Sequence, residues 1–204
     1  MIKRMFALLL ALVMVLGLVA CGNAAPAEKK VKVGIAAPDV THGWVAGVAY
    51  YAEKYCKDNN IDYKMTVSSD AAEMTSNLQD LVADGCTVVV SWPQWTGMEV
   101  AAQIAIDEGL VVVAFDMDIP AEGIYKVTGD NESMGVGGAK YIVDKIGTEG
   151  IVVALPVPSS GSVSELRMKG FMETMAEIAP NVQIIEYATA FTREDGLKDM
   201  ADIL

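Results

Sequence analysis

The sequence contains little histidine and little cysteine, and this limits the chemistry that it can perform. Histidine occurs once in 204 residues, as His42, and cysteine occurs three times, as Cys21, Cys56 and Cys86. None of these residues has the spacing of a zinc site. Neither the Gly-x-Ser-x-Gly turn of serine hydrolases nor a phosphate-binding loop is present, and no pair of carboxylates has a context that indicates acid–base catalysis. We therefore expect no enzymatic activity, no metal and no cofactor.

Basic residues are also scarce. Lysine and arginine total 15 against 27 aspartate and glutamate residues, which gives a formal net charge of −12. Nucleic-acid binding needs a basic face that neutralises phosphates, so we expect no nucleic-acid partner. An anionic membrane surface is an equally poor match, and the acidic excess mainly favours solubility.

The amino terminus has the pattern of an export signal. Lys3 and Arg4 precede an apolar run over residues 5–20 that contains no charge. This run is shorter than the roughly 20 apolar residues that a membrane-spanning helix needs. A charged start followed by a short apolar run is typical of a secretory signal. We expect residues 1–20 to be a signal peptide, the alternative being an uncleaved helix.

The end of that run resembles the bacterial lipobox, with Leu18, Val19 and Ala20 directly before Cys21. In signals of that kind the cysteine is lipidated and becomes the first residue of the mature protein, which implies a lipid on Cys21. The small and polar residues 21–30 are expected to form a flexible tether. The mature chain would then be extracytoplasmic and anchored to the cell membrane as a lipoprotein.

From Val31 on, apolar runs alternate with amphipathic segments. The runs are rich in β-branched residues and apolar on both faces, which is typical of parallel strands covered by helices. Helical spacing follows each run, and Asp70 with Glu73 forms a capping-box pattern at the start of the second helix. The predicted strands are residues 31–36, 63–67, 87–91, 110–115, 124–127, 151–155 and 182–187.

These elements predict an α/β fold with two doubly wound parallel-sheet lobes. Residues 31–129 supply about five βα steps, which suffice for an ordinary N-terminal lobe. Residues 130–204 supply only two strands, a poor core for a second lobe. We expect the second lobe to be incomplete and the sequence to be truncated at its C-terminal end. Gly135 to Gly138 do not fit a dinucleotide-binding frame, so their pattern favours close helix packing.

Cys56 and Cys86 lie in the predicted first helix and at the start of the third strand. A disulfide between them remains open in an oxidising compartment. Two buried free thiols are the favoured interpretation.

Several local patterns, taken in order, resemble the type I periplasmic binding proteins of the ribose-binding cluster. Residues 112–116 resemble that family's fourth strand, which ends in an aspartate that binds sugar hydroxyls, here Asp116. Residues 128–131 resemble its first hinge, which implies hinge roles for Gly129, Asp130 and Asn131. Residues 165–171 resemble the second-lobe helix whose arginine reaches the ligand, here Arg167. Phe191 falls where the family often places a ring against the sugar.

The sequence departs from the ribose-binding pattern at three places. Met117 follows Asp116 where many members have arginine, and a single Trp44 follows the first strand where two aromatic residues are usual. After the third strand, residues 91–95 replace the family's Asn-Pro pattern. Asp116 and Asp118 also resemble the Asp-x-Asp of relatives that bind rhamnose or a furanosyl signal. The resemblance therefore implies a sugar or polyol without identifying it.

The predicted strand ends place polar and aromatic residues at one edge of the sheet. Ligands of doubly wound folds bind outside the carboxyl ends of the strands. Indole rings cover the apolar faces of sugars, while carboxylates and arginine bind the hydroxyl rim. Packing of the tryptophans in loops, capping by Asp116 and solvation of Arg167 remain open alternatives, and His42 is interpreted as a loop residue. The candidate ligand-binding residues are Asp39, Thr41, Trp44, Trp92, Trp95, Asp116, Asp118, Arg167 and Phe191.

The resemblance implies a receptor that captures a sugar or sugar-like polyol between two closing lobes and delivers it to an ABC importer. Its partners would be the ligand, the permease with its ATPase, and the membrane through the lipid, and we expect a monomer. A receptor that passes a sugar-derived signal to a membrane sensor is the alternative. A repressor of the same fold would need an N-terminal DNA-binding domain where this chain has an export signal. We also expect the 204-residue chain by itself to bind weakly or not at all.

Overall fold

Two parallel sheets form the framework of the chain. A computed structural model describes residues 30–40 and 43–204. Two parts of the chain lie outside the described residues. The first is residues 1–29, with the predicted signal peptide, the predicted lipidation site Cys21 and most of the predicted tether, and the second is Thr41 with His42. Within the described ranges, no helix is long and apolar enough to cross a membrane.

The larger sheet has five parallel strands in the order β2-β1-β3-β4-β5. Ile35 at the centre of β1 lies between Met65 of β2 and Val90 of β3. The chain runs from β1 to β2 on one side and then crosses back to β3 on the other side of β1, which makes the gap between β1 and β3 the switch point of a doubly wound fold. The strands are β1 Lys32–Pro38, β2 Asp62–Ser68, β3 Val88–Ser91, β4 Val111–Phe115 and β5 Tyr125–Val127.

Helices cover this sheet unequally. The helices are α1 Gly43–Asp58, α2 Ala71–Ala83 and α3 Glu99–Asp107. The main core joins α2 and α3 to alternate residues of the strands, for example Met74 and Leu78 with Val89 and Val112, all at most 1% exposed. The side chains of α1 join a second, smaller core with Val45, Ala37 and Trp92 at its centre.

Asp70 caps the start of α2, as the sequence predicted, but the Glu73 carboxylate bonds to the residue before the cap and not to the Asp70 N–H of a strict capping box. The Asp70 side chain accepts a hydrogen bond from the Glu73 N–H at 2.8 Å, and the Glu73 carboxylate accepts one from the Ser69 N–H at 2.7 Å. The hydrogen bond from the Ser69 backbone holds the pKa of the Glu73 carboxyl below its ordinary value. The two hydrogen bonds of Glu73 fix the point at which the loop after β2 ends and α2 begins.

The second part of the chain contains a two-stranded parallel sheet. Its elements are α4 Asn131–Ile146, β6 Glu149–Ala154, a short 3₁₀ turn at Pro158–Ser160, α5 Ser162–Ile178, β7 Asn181–Glu186 and α6 Arg193–Ile203. A small core of Ala139, Met175, Ala179 and Val182 lies between the helices and the strands. The two parallel sheets with alternating helices confirm the predicted fold class.

The helices α4 and α5 contact each other through glycine. A Cβ on Gly135 would lie 2.0 Å from the Arg167 carbonyl oxygen, and a Cβ on Gly170 would lie 2.1 Å from that of Glu132. A Cβ on Gly137 would meet no atom within 4 Å. The prediction of close packing is therefore confirmed for Gly135 and is wrong for Gly137, because two residues further along a helix the side chain points to another face.

Cys56 at the end of α1 and Cys86 before β3 are both buried, and neither is in a disulfide. Burial raises the pKa of each thiol above its ordinary value. Cys86 joins the core formed by α2 and α3, whereas Cys56 lies on α1 and is not part of that core. The interpretation as buried free thiols is the one that the fold supports.

Candidate ligand-binding site

The loops at the carboxyl ends of the larger sheet contain most of the candidate residues. Asp39 follows β1 directly, is exposed, and donates its backbone N–H to the Ser68 carbonyl at the end of β2. Trp44 lies in the first turn of α1 with 59% of its surface exposed. The backbone contact between Asp39 and Ser68 holds the ends of the two strands together.

Two of the three tryptophans line one apolar cavity of about 490 Å³ between α1 and the sheet. Trp44 contributes from the helix, and Trp92 contributes from the loop after β3. The remaining lining residues are Gly43, Gly47, Val48, Tyr51, Ala52, Val90 and Phe115. Aromatic and aliphatic groups thus dominate this part of the site.

Trp92 is buried rather than presented to solvent. It is 2% exposed, and its ring meets that of Phe115 edge to face, with centroids 5.6 Å apart. Its indole Nε1 is buried without a hydrogen-bond partner among the described residues. A buried N–H without an acceptor carries a desolvation cost of about 1–3 kcal/mol, so an acceptor brought to this point would be favoured.

Trp95 and Asp118 border a second, smaller cavity of about 170 Å³. It lies where the loops after β3 and β4 meet the start of α5. The Asp118 backbone N–H donates to the Ser162 hydroxyl at 2.9 Å, and the Asp118 carboxylate pairs with Lys126 at 2.5 Å. Gly161 has φ +46°, and a Cβ there would lie 3.0 Å from the Thr96 Cγ2 in the loop after β3. These contacts connect the larger sheet to the second part of the chain.

Asp116 ends β4 in a left-handed backbone conformation, with φ +68°. Aspartate tolerates this region better than most residues, but the conformation still costs on the order of 1 kcal/mol. Two contacts hold it: the Asp116 N–H donates to the Val127 carbonyl at 2.9 Å, and the Asp116 carbonyl accepts from the Thr128 hydroxyl at 2.7 Å. Strained backbone of this kind is frequent at binding sites.

Arg167 is brought to the crossing between β5 and α4. Its Nε–H donates to the Asn131 side-chain oxygen at 2.8 Å. Asn131 is 2% exposed and donates its amide Nδ2 to the Thr128 hydroxyl and to the Gly129 carbonyl, each at 3.3 Å. Asn131 and Thr128 thus link the Arg167 guanidinium to the backbone carbonyl of Asp116, although Arg167 and Asp116 are far apart in sequence.

Asp130, Gly129 and Phe191 are the remaining candidates among the described residues. Asp130 caps α4 by accepting a hydrogen bond from the Ser133 N–H at 3.0 Å, which lowers the pKa of its carboxyl. Gly129 has little free space, since a Cβ there would lie 3.1 Å from the Met134 Cε. Phe191 lies just before α6 and is 48% exposed. Thr41 is outside the described residues, so its place in the site stays a prediction.

Sequence reasoning missed Ser162 and Lys126, and it quoted Thr128 without giving it a role. Lys126 has a signal in the sequence, because a lysine within a short apolar strand must turn its charge towards a partner or solvent. Ser162 has none, because its contact with Asp118 depends on how the second part of the chain packs against the first.

Residues 33–204 match the model of a family described as periplasmic binding protein domain. The chain belongs to this family. No curated protein matches the sequence. The family assignment rests on a match that covers most of the chain.

Solved structures of this family have the same fold. The arabinose-binding component of an ABC transporter from Shewanella sp. ANA-3, bound to L-arabinofuranose, has a TM-score of 0.78 and 19% identity, and the match covers 85% of this chain and 59% of that one. A myo-inositol-binding protein from Caulobacter gives 0.79 and 21%, with 89% and 63% covered. A galactofuranose-binding protein gives 0.76 and 25%, with 85% and 61% covered. The chain thus spans about three fifths of the length of these proteins.

Proposed function

We propose that this protein is the extracytoplasmic binding component of an ABC importer and captures a sugar or sugar-like polyol. The ligand would bind between two lobes, residues 31–129 and 130–204, which close on it about the crossing at Gly129, Asp130 and Asn131. The protein would act by binding and release, without catalysis. Membership of the family and the ligands named for the similar structures, which are arabinose, galactofuranose and myo-inositol, support this proposal.

One observation of the site carries the proposal furthest. Three hydrogen bonds link the Arg167 guanidinium of α5, through Asn131 and Thr128, to the backbone carbonyl of Asp116, the residue that follows β4. The Asp116 carboxylate and the Arg167 guanidinium would each form strong, charge-assisted hydrogen bonds with sugar hydroxyls. Trp44 and Trp95 would offer rings for the apolar faces of the sugar.

The proposal includes the location of the protein. Residues 1–20 would direct export, and a lipid on Cys21 would hold the mature protein at the membrane. Anchoring keeps the receptor near its permease and so raises its effective concentration there. Labelling cells with a radioactive fatty acid tests this point, with a Cys21→Ser variant as the matched control. Label in the Cys21→Ser protein would contradict lipidation at this residue.

The binding proposal is tested with the full-length protein and a panel of L-arabinose, D-galactose, D-allose, L-rhamnose and myo-inositol. Tryptophan fluorescence and thermal shift are recorded during titration. We expect at least one sugar to bind, and we expect Asp116→Asn and Arg167→Lys each to weaken binding by about tenfold or more, since hydrogen bonds to charged groups contribute about 1.5–3 kcal/mol.

Matched controls separate site effects from general effects. Asp144→Asn removes a carboxylate from an exposed position on α4, and Arg193→Lys alters an arginine at the start of α6. Both variants should bind as the wild type does. If no sugar of the panel changes either signal, the proposed function is wrong.

A further inference from the structure

The hydrogen bonds between Arg167 and Asp116 form a chain with one direction. The Arg167 Nε–H donates to Asn131 Oδ1 at 2.8 Å, Asn131 Nδ2 donates to Thr128 Oγ1 at 3.3 Å, and the Thr128 hydroxyl donates to the Asp116 carbonyl at 2.7 Å. Each middle residue accepts from one neighbour and donates to the next. Hydrogen bonds arranged in this way polarise one another, so a change at one bond affects the others.

The amide of Asn131 is fully used by this arrangement. Its oxygen accepts from Arg167, and its Nδ2 donates to Thr128 and to the Gly129 carbonyl. The residue is 2% exposed at the first position of α4. A buried amide whose groups are all paired is held in one orientation, because any rotation would leave a polar group without a partner.

Thr128 is the last side chain in this series of hydrogen bonds before Asp116. Its hydroxyl has one proton, and the two acceptors near it are the Asp116 carbonyl at 2.7 Å and the Gly129 carbonyl at 3.4 Å. The shorter contact is the better hydrogen bond, so the proton points to Asp116. That bond supports the left-handed conformation of Asp116, which has φ +68° and needs support from its surroundings.

We propose that Thr128 and Asn131 are positioning residues that fix the Arg167 guanidinium relative to the Asp116 loop across the crossing between the two parts of the chain. This inference rests on the proposed function, in which Arg167 and Asp116 bind the same ligand. Neither positioning residue needs to touch the ligand. Their effect is to hold two charged groups from different elements in one geometry before the ligand arrives, which lowers the entropy cost of binding.

The first test does not need a ligand. The Nε–H signal of Arg167 can be assigned in a nitrogen-15 NMR spectrum as the one that is lost in an Arg167→Lys sample. Solvent exchange of this proton reports its hydrogen bond to Asn131. We expect Thr128→Val, which keeps the shape and removes the hydroxyl, to speed exchange by about threefold or more as the Asn131 amide loosens.

Two further variants make the test specific. Thr128→Ser restores the hydroxyl and should return the exchange rate to that of the wild type. Thr75→Val removes a hydroxyl that donates only to the Ala71 carbonyl within α2, and it should leave the exchange rate unchanged. An unchanged rate in Thr128→Val, or equal rates in Thr128→Val and Thr128→Ser, would overturn the proposal.

The second test measures the affinity of the full-length protein and its variants for L-arabinose, D-galactose and myo-inositol. We expect Thr128→Val to weaken binding by about twofold to tenfold and Thr128→Ser to bind as the wild type does. A Thr128→Val affinity equal to that of the wild type would overturn the positioning role in binding. If none of the probes binds while Thr128→Val still speeds exchange at Arg167, the positioning of the arginine stands and the proposed function fails.

Discussion

Replacing Gly135 with alanine should force α4 and α5 apart. A Cβ at this position would lie 2.0 Å from the Arg167 carbonyl oxygen and 2.8 Å from the Phe171 nitrogen. Ordinary van der Waals contact begins at 3.4 Å, so the helices must separate locally by about 1.4 Å, the difference between 3.4 and 2.0 Å. Both obstructing atoms belong to the backbone, which cannot move aside as a flexible side chain can.

Two opposing contributions set the change in the free energy of unfolding that Gly135→Ala causes. Forcing extra volume into a packed contact costs about 1–3 kcal/mol, and a backbone obstruction belongs at the upper end. Alanine is favoured over glycine inside a helix by about 1 kcal/mol. The net loss of about 2 kcal/mol should lower the melting temperature of a chain of this size by about 4–8 °C.

The matched control for this experiment is Gly137→Ala in the same helix. A Cβ there meets no atom within 4 Å, so only the helix preference acts and the melting temperature should rise. Thermal unfolding followed by circular dichroism measures both variants. Since the displaced carbonyl belongs to Arg167, Gly135→Ala should also weaken the hydrogen bond from the Arg167 Nε–H to Asn131. Equal stability of Gly135→Ala and Gly137→Ala would refute the packing argument.

Two further predictions concern titrating groups. The pKa values of the Glu73 and Asp130 carboxyls are held below their ordinary values of 4.5 and 3.8 by backbone hydrogen bonds. The unfolded chain therefore binds more protons in acid, so the contribution of these groups to stability is present above their ordinary pKa values and is lost as the pH falls through the folded ones. Urea unfolding from pH 7 to pH 3 should show this loss, and a Glu73→Gln variant whose stability falls as steeply with acid would argue against it. Burial raises the pKa of the Cys56 and Cys86 thiols. We therefore expect both thiols to resist a thiol reagent at pH 8 until urea unfolds the chain. Rapid reaction of either thiol in the native protein would disprove this prediction.

The local part of the fold could be predicted from the sequence. The strands of the larger sheet are runs such as Val88–Ser91 and Val111–Phe115, whose β-branched residues are apolar on both faces. The cap at Asp70 is a pattern of neighbouring residues, so the hydrogen bond that the Asp70 side chain accepts from the Glu73 N–H follows from sequence alone. Patterns that act within one turn or one strand need no knowledge of the rest of the chain.

The arrangement of the candidate site depended on contacts between distant residues. Trp44, Trp92 and Trp95 were all predicted to be ligand-binding residues because each follows a predicted strand. The structure separates them, since Trp92 is buried against Phe115 from the neighbouring strand while Trp44 is mostly exposed. The link from Arg167 to Asn131 likewise joins residues 36 positions apart and depends on how closely α4 and α5 pack. Such contacts are fixed by packing, which no local pattern records.

The central claim is that the protein captures a sugar by closing two lobes around it at Asp116 and Arg167. Small-angle X-ray scattering of the full-length protein, recorded with and without a sugar that binds it, tests this claim most directly. We predict that the radius of gyration falls when the sugar is present and that it does not change for an Asp116→Asn, Arg167→Lys double variant. A sugar that binds tightly while the radius of gyration stays the same would contradict capture by closure.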